Sequence, residues 1–393
     1  MIDVVIASAA RTAIGSYGKS LAGVPPSDLG AAAGVAALER AGIEPDQVEH
    51  VVFGNVIHTE TADMYMARVV GMKAGIAKEV PAYTVNRLCG SGVQAIVSAA
   101  QAIQTGEAEV ALAGGAESMS RGPYWIPSAR WGARMGAADL VDPVMGGLTD
   151  PFSSVLMGVT AENLAERGSI SRERQDEFAV ESHRRAAAAR EAGRFDQEIV
   201  PVEVKVKREK VAFARDEHIR PDASAESMAR LKPVFKPDGT VTAGNASGMN
   251  DAGAAVVLMS AAKARELGAP VRALVLAYAS CGVDPAIMGI GPVPAVRKVL
   301  ERSGRSLDEI GVIELNEAFA AQALAVIDEL GLDEAKVNPN GGAIALGHPI
   351  GATGTAITAK ILSEMEPSGS ELGLVTLCIG GGQGIALLLG AGT

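Results

Sequence analysis

The chain has 393 residues, a formal net charge of −11, an apolar share of 48% and an aromatic share of only 4%. That length exceeds what one hydrophobic core fills, so two or more domains are expected, built from Ala, Val, Ile and Leu as in sheets covered by closely packed helices. The negative charge excludes a general nucleic-acid binder, and no apolar run approaches the roughly 20 residues of a membrane span.

In chain order, Val4-Val5-Ile6-Ala7-Ser8 reads as a buried strand, a helix follows from about Ser27 to Ala41 with Gly42 in a C-cap position, and Val48 to Phe53 reads as a second strand. Strand, helix, strand is the order of a parallel α/β sheet. Ala82-Tyr83-Thr84-Val85 gives a further strand, after which Val93, Ile96, Val97, Ala100 and Ile103 recur at helical spacing until Gly106. Cys89 falls between the two, at the positive end of that helix. Peptide dipoles there favour a thiolate and pull a thiol pKa below its usual value of about 8.5. Gly90 and Gly92 strip away bulk around the sulfur.

From Ser120 to Ser247 the text changes character, with Arg121, Trp125, Pro127, Arg130 and Trp131 close together and a long helix capped by Ser171 and ended before Gly193. Between Glu203 and Lys236 nine Lys or Arg stand against six Asp or Glu, a local basic surplus in an acidic protein. Such an excursion suits covering a site or contacting another subunit, and its charge suits a small anionic ligand. Beyond it the chain repeats itself. Leu38-Glu39-Arg40-Ala41-Gly42 returns 262 residues later as Leu300-Glu301-Arg302-Ser303-Gly304, with Asp46, Val48 and Val51 matched in register by Asp308, Ile310 and Ile313. The expected organisation is a duplicated α/β domain. Residues 1–119 with 248–269 form one half, 270–393 the other, and 120–247 the excursion, with an active site between the halves.

The second half carries its own chemistry. Asn316-Glu317 sits where a strand from Ile313 bends into a helix, so Asn316 either caps that helix or holds a water or carbonyl. His348, in Gly347-His348-Pro349, lies within three residues of the position that the repeat matches to Cys89, well placed to take a proton from a thiol or to donate to an oxyanion. The strand Val375-Thr376-Leu377 delivers Cys378 into Gly380-Gly381-Gly382, where backbone N–H groups are free to turn toward developing negative charge. Cys281, His50, His58, His183 and His218 have no such context, and no metal site is expected. Three scattered cysteines offer no disulfide framework, and Met1-Ile2-Asp3 does not begin a signal peptide, so a soluble, cytoplasmic chain is expected.

Cys89 with Gly-x-Gly, Asn316-Glu317-Ala318-Phe319, Gly347-His348-Pro349 and Cys378-x-Gly-Gly-Gly, in this order over essentially the whole chain, closely resemble the thiolase family. The resemblance implies two similar α/β halves in a five-layer α/β/α/β/α arrangement with an inserted loop domain. It implies an acyl-CoA C-acetyltransferase that joins acetyl-CoA to an acyl-CoA by a reversible Claisen condensation, or cleaves a 3-ketoacyl-CoA with CoA, through an acyl-cysteine. Cys89 would be the nucleophile, His348 its activator and Cys378 the base for the acetyl methyl group. His348 with a water on Asn316 would form one oxyanion site, and the N–H groups of Cys89 and Gly380 the other. CoA, as substrate and not as a resident cofactor, would meet Leu148, Met157, Arg220, Ser227, Leu231, Phe235, Ala243 and Ser247, with Ala318 and Phe319 lining the pantetheine tunnel. Short-chain biosynthetic members commonly carry a histidine where this chain has Leu156, so the resemblance points to a bacterial β-ketothiolase of short to medium chain range. It also implies a homotetramer of paired dimers, for which Ser120 to Leu140 offers contacts.

Three other readings compete. A decarboxylating ketoacyl synthase on the same fold needs no second cysteine, so Cys378 speaks against it. A non-catalytic acyl-CoA or lipid carrier predicts loss of a catalytic residue, yet Cys89, Asn316, His348 and Cys378 are all present. A nicotinamide oxidoreductase lacks its phosphate-binding glycine loop near the first strand.

Overall fold

A computed structural model describes residues 2–392. The chain begins with β1 (Val4–Thr12), α1 (Pro26–Ala41), β2 (His50–Gly54), α2 (Met66–Lys73), β3 (Ala82–Val85), α3 (Ser91–Gln104) and β4 (Val110–Ser118). A long excursion holding α4 (Met157–Gly168) and α5 (Arg172–Glu191) returns as β5 (Asn250–Ser260). The rest comprises β6 (Ala273–Gly282), α6 (Pro292–Ser303), β7 (Val312–Leu315), α7 (Ala320–Leu330), α8 (Thr353–Ser368), β8 (Leu372–Ile379) and β9 (Gln383–Ala391).

The strands lie in the order β3-β2-β4-β5-β1 and then β6-β9-β8-β7. Strand β2 is parallel to β3 and β4, while β5 runs antiparallel to both β4 and β1. The second set copies the first: β7 is parallel to β8, and β9 is antiparallel to β8 and β6. A parallel bridge from Ile313 to Val337 occupies the place that β3 holds in the first set. Register confirms the duplication seen in the sequence. Helices α3 and α8 start at Ser91 and Thr353, strands β4 and β8 at Val110 and Leu372, and Gly42 and Gly304 close α1 and α6 in left-handed conformations, each pair 262 residues apart. The two sets touch where β1 meets β6 antiparallel, Val5 opposite Leu274 and Ile6 opposite Ala273.

Alternation along the strands sorts residues into separate cores. Val51 and Phe53 pack outward on α1 and α2, whereas Val52 points inward with α3 and α8. In the other set Ile313 and Leu315 face α6 and α7, and Val312 faces the centre. The layers are therefore helix, sheet, helix, sheet, helix, as the resemblance implied, with α3 and α8 in the middle. These two helices approach so closely that a Cβ at Gly92 or Gly354 would strike the other helix's backbone. Their N-terminal ends carry the turns of Cys89 and His348 to one place.

Local chemistry follows the residue types. Ser171 Oγ accepts from Arg174 N at the start of α5, and Gly193 beyond its end has φ 70°. The second strand starts at His50 and not Val48, because Val48 closes the 3-10 turn Pro45–Gln47. The excursion is pinned to β1 by buried Arg11, which reaches Glu198 at 2.7 Å and Asp216 at 2.8 Å. Among the described residues no helix is long and apolar enough to cross a membrane.

Candidate active site

Cys89 is presented by a strained turn. Leu88 before it has φ 45°, a left-handed conformation that costs a non-glycine residue on the order of 1 kcal/mol. The turn is held from both sides: Leu88 N donates to Asn86 Oδ1 at 3.0 Å, while Ser91 Oγ accepts from Arg87 N at 2.8 Å and donates to Leu88 O at 2.7 Å. The expectation of a depressed thiol pKa does not hold. Burial pushes Cys89 up to about 11, against the pull of the backbone N–H groups of Gly380 and of Cys89 itself, which lie against the sulfur. The amides at the start of α3 do not help, because Gly90 N and Ser91 N are spent on Arg87 O and Leu88 O.

His348 stands on a turn that glycine alone permits. Gly347 has φ 111°, and a Cβ there would collide with the Asn250 side chain. Asn250, at the start of β5, accepts from His348 N at 2.9 Å and donates to Gly15 O at 3.0 Å, tying the turn to the first half of the chain. The ring's tautomer follows from its neighbours. Thr353 Oγ1 donates its one hydrogen to Pro349 O at 2.8 Å, so at its 2.7 Å contact with His348 Nδ1 it accepts. The proton therefore sits on Nδ1, and Nε2 offers a lone pair, to which Asn316 Nδ2 approaches at 3.4 Å. Burial lowers the imidazole pKa to about 4. At rest the pair is a neutral thiol and a neutral base.

Cys378, the last residue but one of β8, is fully buried, and burial together with neighbouring Cys89 holds its thiol well above the ordinary value. The following Gly380 leads into Gly381 and Gly382, with φ 80° and 84°, which turn the chain into β9 and leave the Gly380 N–H on Cys89. Asn316 does not cap a helix. The N-cap of α7 is Phe319, and buried Asn316 instead turns toward His348, its Oδ1 without a partner among the described residues. Glu317 beside it is structural, accepting from Ser182 Oγ, Asn338 Nδ2 and Ile344 N.

Cys89, His348, Cys378 and Gly380 line one cavity of about 350 Å³. Leu148, Met157, Phe235, Ser247, Ala318 and Phe319 line it too, Phe235 and Phe319 meeting edge to face with centroids 5.9 Å apart. Arg220, Ser227, Leu231 and Ala243 lie outside the cavity, Arg220, Ser227 and Ala243 on the surface and Leu231 packed on Met228 and Ala179. The sequence reading passed over Met119, Met145, Met249 and Met288, which with Met157 make the wall rich in methionine. Their only sequence signal is adjacency, as in Ser247-Gly248-Met249. Thr353 and Asn250 were missed as well, since nothing in a linear reading links Asn250 to a histidine 98 residues away.

Comparison with known proteins shows the family. The models for the N-terminal and C-terminal domains of thiolase match residues 4–262 and 269–391. The chain is 58% identical over 387 residues to beta-ketothiolase BktB of Cupriavidus necator, covering 98% of each. Among solved structures it resembles acetyl-CoA acetyltransferase of Bacillus anthracis (TM-score 0.97, 48% identity, 100% of this chain and 99% of that one). It also resembles human mitochondrial 3-ketoacyl-CoA thiolase in complex with CoA (TM-score 0.96, 45% identity, 99% and 98%). With two cysteines and a histidine lining one cavity between duplicated α/β halves, and with matches along nearly its full length, this chain belongs to the thiolase family.

Proposed function

We propose that this acyltransferase joins acetyl-CoA to short- and medium-chain acyl-CoA, and cleaves the corresponding 3-ketoacyl-CoA, with Cys89, His348 and Cys378 in separate chemical roles. The observation that carries the reading is the pair of cysteines sharing one cavity with a histidine whose Nε2 carries a lone pair, met only by the long contact from Asn316 Nδ2. Cys89 Sγ attacks the thioester carbonyl as its proton passes to His348 Nε2, the C–S bond to CoA breaks, and the departing CoA sulfur takes that proton. Cys378 passes its proton to His348 Nε2 and, as a thiolate, removes a proton from the methyl carbon of acetyl-CoA. The resulting carbanion attacks the acyl group, its bond to Cys89 breaks, and the departing Cys89 sulfur takes the proton back from His348. Two thiols are needed because one is acylated while the other moves a proton.

Charge develops at two oxygens. The N–H groups of Cys89 and Gly380, already turned to the sulfur, suit the acyl-cysteine oxyanion. His348 Nε2–H, once protonated, with a water on Asn316 suits the enolate. A thiol with a raised pKa gives a strong thiolate base, which a weakly acidic thioester α-proton requires. Leu156 on the wall places a methyl group where a hydrogen-bond donor would fix a short substrate, and the pliant methionines accommodate acyl groups of different length.

Residues 120–247 are read as the loop domain between halves 1–119 with 248–269 and 270–393. Its surface residues Arg220, Ser227 and Ala243, with Leu231, would receive the nucleotide part of CoA, there being no resident cofactor. A tetramer is supported by apolar side chains left in water on this segment, Trp131 at 85% and Met135 at 95% exposure, and paired dimers by the unpaired edge of β3. The three free thiols fit a reducing, cytoplasmic compartment. The test is CoA-dependent cleavage of acetoacetyl-CoA and 3-ketohexanoyl-CoA by the wild type and Cys89→Ala. Activity in the first and none in the second is expected. A wild type that binds acyl-CoA but cleaves neither would leave a carrier. Light scattering that gave a monomer would sink the tetramer.

A further inference from the structure

Glu117, the last residue but one of β4, is fully buried. Buried Glu198 and Asp216 have Arg11 and buried Glu314 has Lys360, but Glu117 forms no ion pair among the described residues. It is surrounded by donors instead. Oε1 accepts from Asn55 Nδ2 and Ile57 N, both at 3.1 Å; Oε2 accepts from Val56 N at 3.1 Å and Gly351 N at 2.8 Å. Burial pushes its carboxyl up to about 8 against the pull of the Ile57, Gly351 and Val56 amides. Four donors on two oxygens nevertheless leave no place for a hydrogen: a protonated acid would point it at another hydrogen, so the arrangement fits a carboxylate.

The four donors come from different parts of the chain. Residues 55–57 follow β2 in the first half, while Gly351 lies three residues after His348 in the second. The fit leaves no slack: a Cβ at Gly351 would come within 2.6 Å of Glu117 Oε2, one at Gly54 within 2.9 Å of Gly351 O, and one at Gly115 would collide with that same oxygen. Ile57 and Ile350, next to the bonded amides, belong to the apolar cluster that packs on Cys89. No direct bond joins the histidine's turn to residues 55–57; the carboxylate is their common partner.

We propose that Glu117 is a positioning residue for the condensation, an anionic clamp that holds the His348 turn of one half against the Cys89 pocket of the other. It touches neither substrate nor reacting atoms, and the proposal rests on the thiolase reading above. Its effect is to fix how far His348 Nε2 stands from the sulfur, a separation on which proton transfer depends steeply. Glutamine cannot replace it, because its NH2 would face two of the four donors. Aspartate keeps the charge but falls short by one methylene.

The test compares wild type, Glu117→Gln and Glu117→Asp in acetoacetyl-CoA cleavage, with intact sites counted by iodoacetamide labelling of Cys89. Glu117→Gln should lose about 100-fold in kcat per labelled site with KM for CoA within about twofold, and Glu117→Asp should recover part of that loss. If Glu117→Gln does not fold, Glu117→Asp decides, with a loss of kcat at unchanged KM expected. The proposal is overturned if kcat per site stays within about threefold of wild type, or if KM for CoA rises as much as kcat falls. An inactive wild type would instead defeat the thiolase reading itself.

Discussion

Replacing Thr353 with valine keeps the β-branched shape at the start of α8 and removes one hydroxyl. Two things happen to His348. Its Nδ1–H loses the acceptor at 2.7 Å in a buried site, where an unsatisfied donor costs about 1–3 kcal/mol. The ring then has an escape: with the proton on Nε2 it can bond to Asn316 Oδ1, which has no partner among the described residues, if the amide turns over. That escape moves the lone pair from Nε2 to Nδ1, off the atom proposed to receive the Cys89 proton. If the productive tautomer is reached only by repaying 1–3 kcal/mol, kcat/KM should fall by about 5- to 150-fold. Thr353→Ser, which keeps the hydroxyl, should stay within about threefold of wild type. The assay is thiolytic cleavage of acetoacetyl-CoA, with circular dichroism melting to confirm both folds. Valine and serine variants that lose activity equally, or a valine variant as fast as wild type, would refute the tautomer assignment.

Iodoacetamide labelling of free Cys89 should accelerate nearly tenfold per pH unit from 7 to 10, since burial raises the thiol to about 11; a plateau below pH 8 would show a resting thiolate. Cys378→Ala should still be acylated on Cys89 by acyl-CoA yet fail to condense it with acetyl-CoA, which mass spectrometry and product assay separate. Leu156→His should raise the kcat/KM ratio of acetoacetyl-CoA to 3-ketohexanoyl-CoA several-fold, by roughly 1 kcal/mol for one added hydrogen bond; an unchanged ratio clears Leu156 of that role. Gly347→Ala should destabilise by about 2 kcal/mol or more, read as a lower denaturant midpoint, because φ 111° and the Asn250 contact both exclude a Cβ.

Much of this architecture was legible because duplication turns a sequence into its own comparison. The offset of 262 residues that aligned Leu38 with Leu300 also aligns Ser91 with Thr353, so the pairing of the Cys89 and His348 turns followed from text alone. What stayed hidden depends on contacts between distant strand ends. Asn250 and Glu117 act through atoms far along the chain, and neither sits in a pattern that periodicity detects. From text alone Asn316 could cap a helix or hold a water or carbonyl; the helix starts later, at Ala320, which removes the first alternative. The Cys89 pKa was misjudged for a related reason: helix-end dipoles are visible in sequence, whereas the desolvation that outweighs them requires the closed cavity.

Strand β1 pairs with β5 from Val4 opposite Ser260 to Arg11 opposite Ala254. On the ribosome this means that the first strand to emerge waits for one of the later ones. At ~5–20 residues per second, the roughly 250 intervening residues take on the order of 13–50 s to synthesise. Until β5 appears, β1 and β4 have no shared neighbour, and the apolar faces of both stay open to wrong partners. A nascent chain halted between β4 and β5 is thus an aggregation hazard, and one in which Ser260 has emerged has all the strands of its first set. The long excursion between β4 and β5 is, for the growing chain, a delay built into its own assembly.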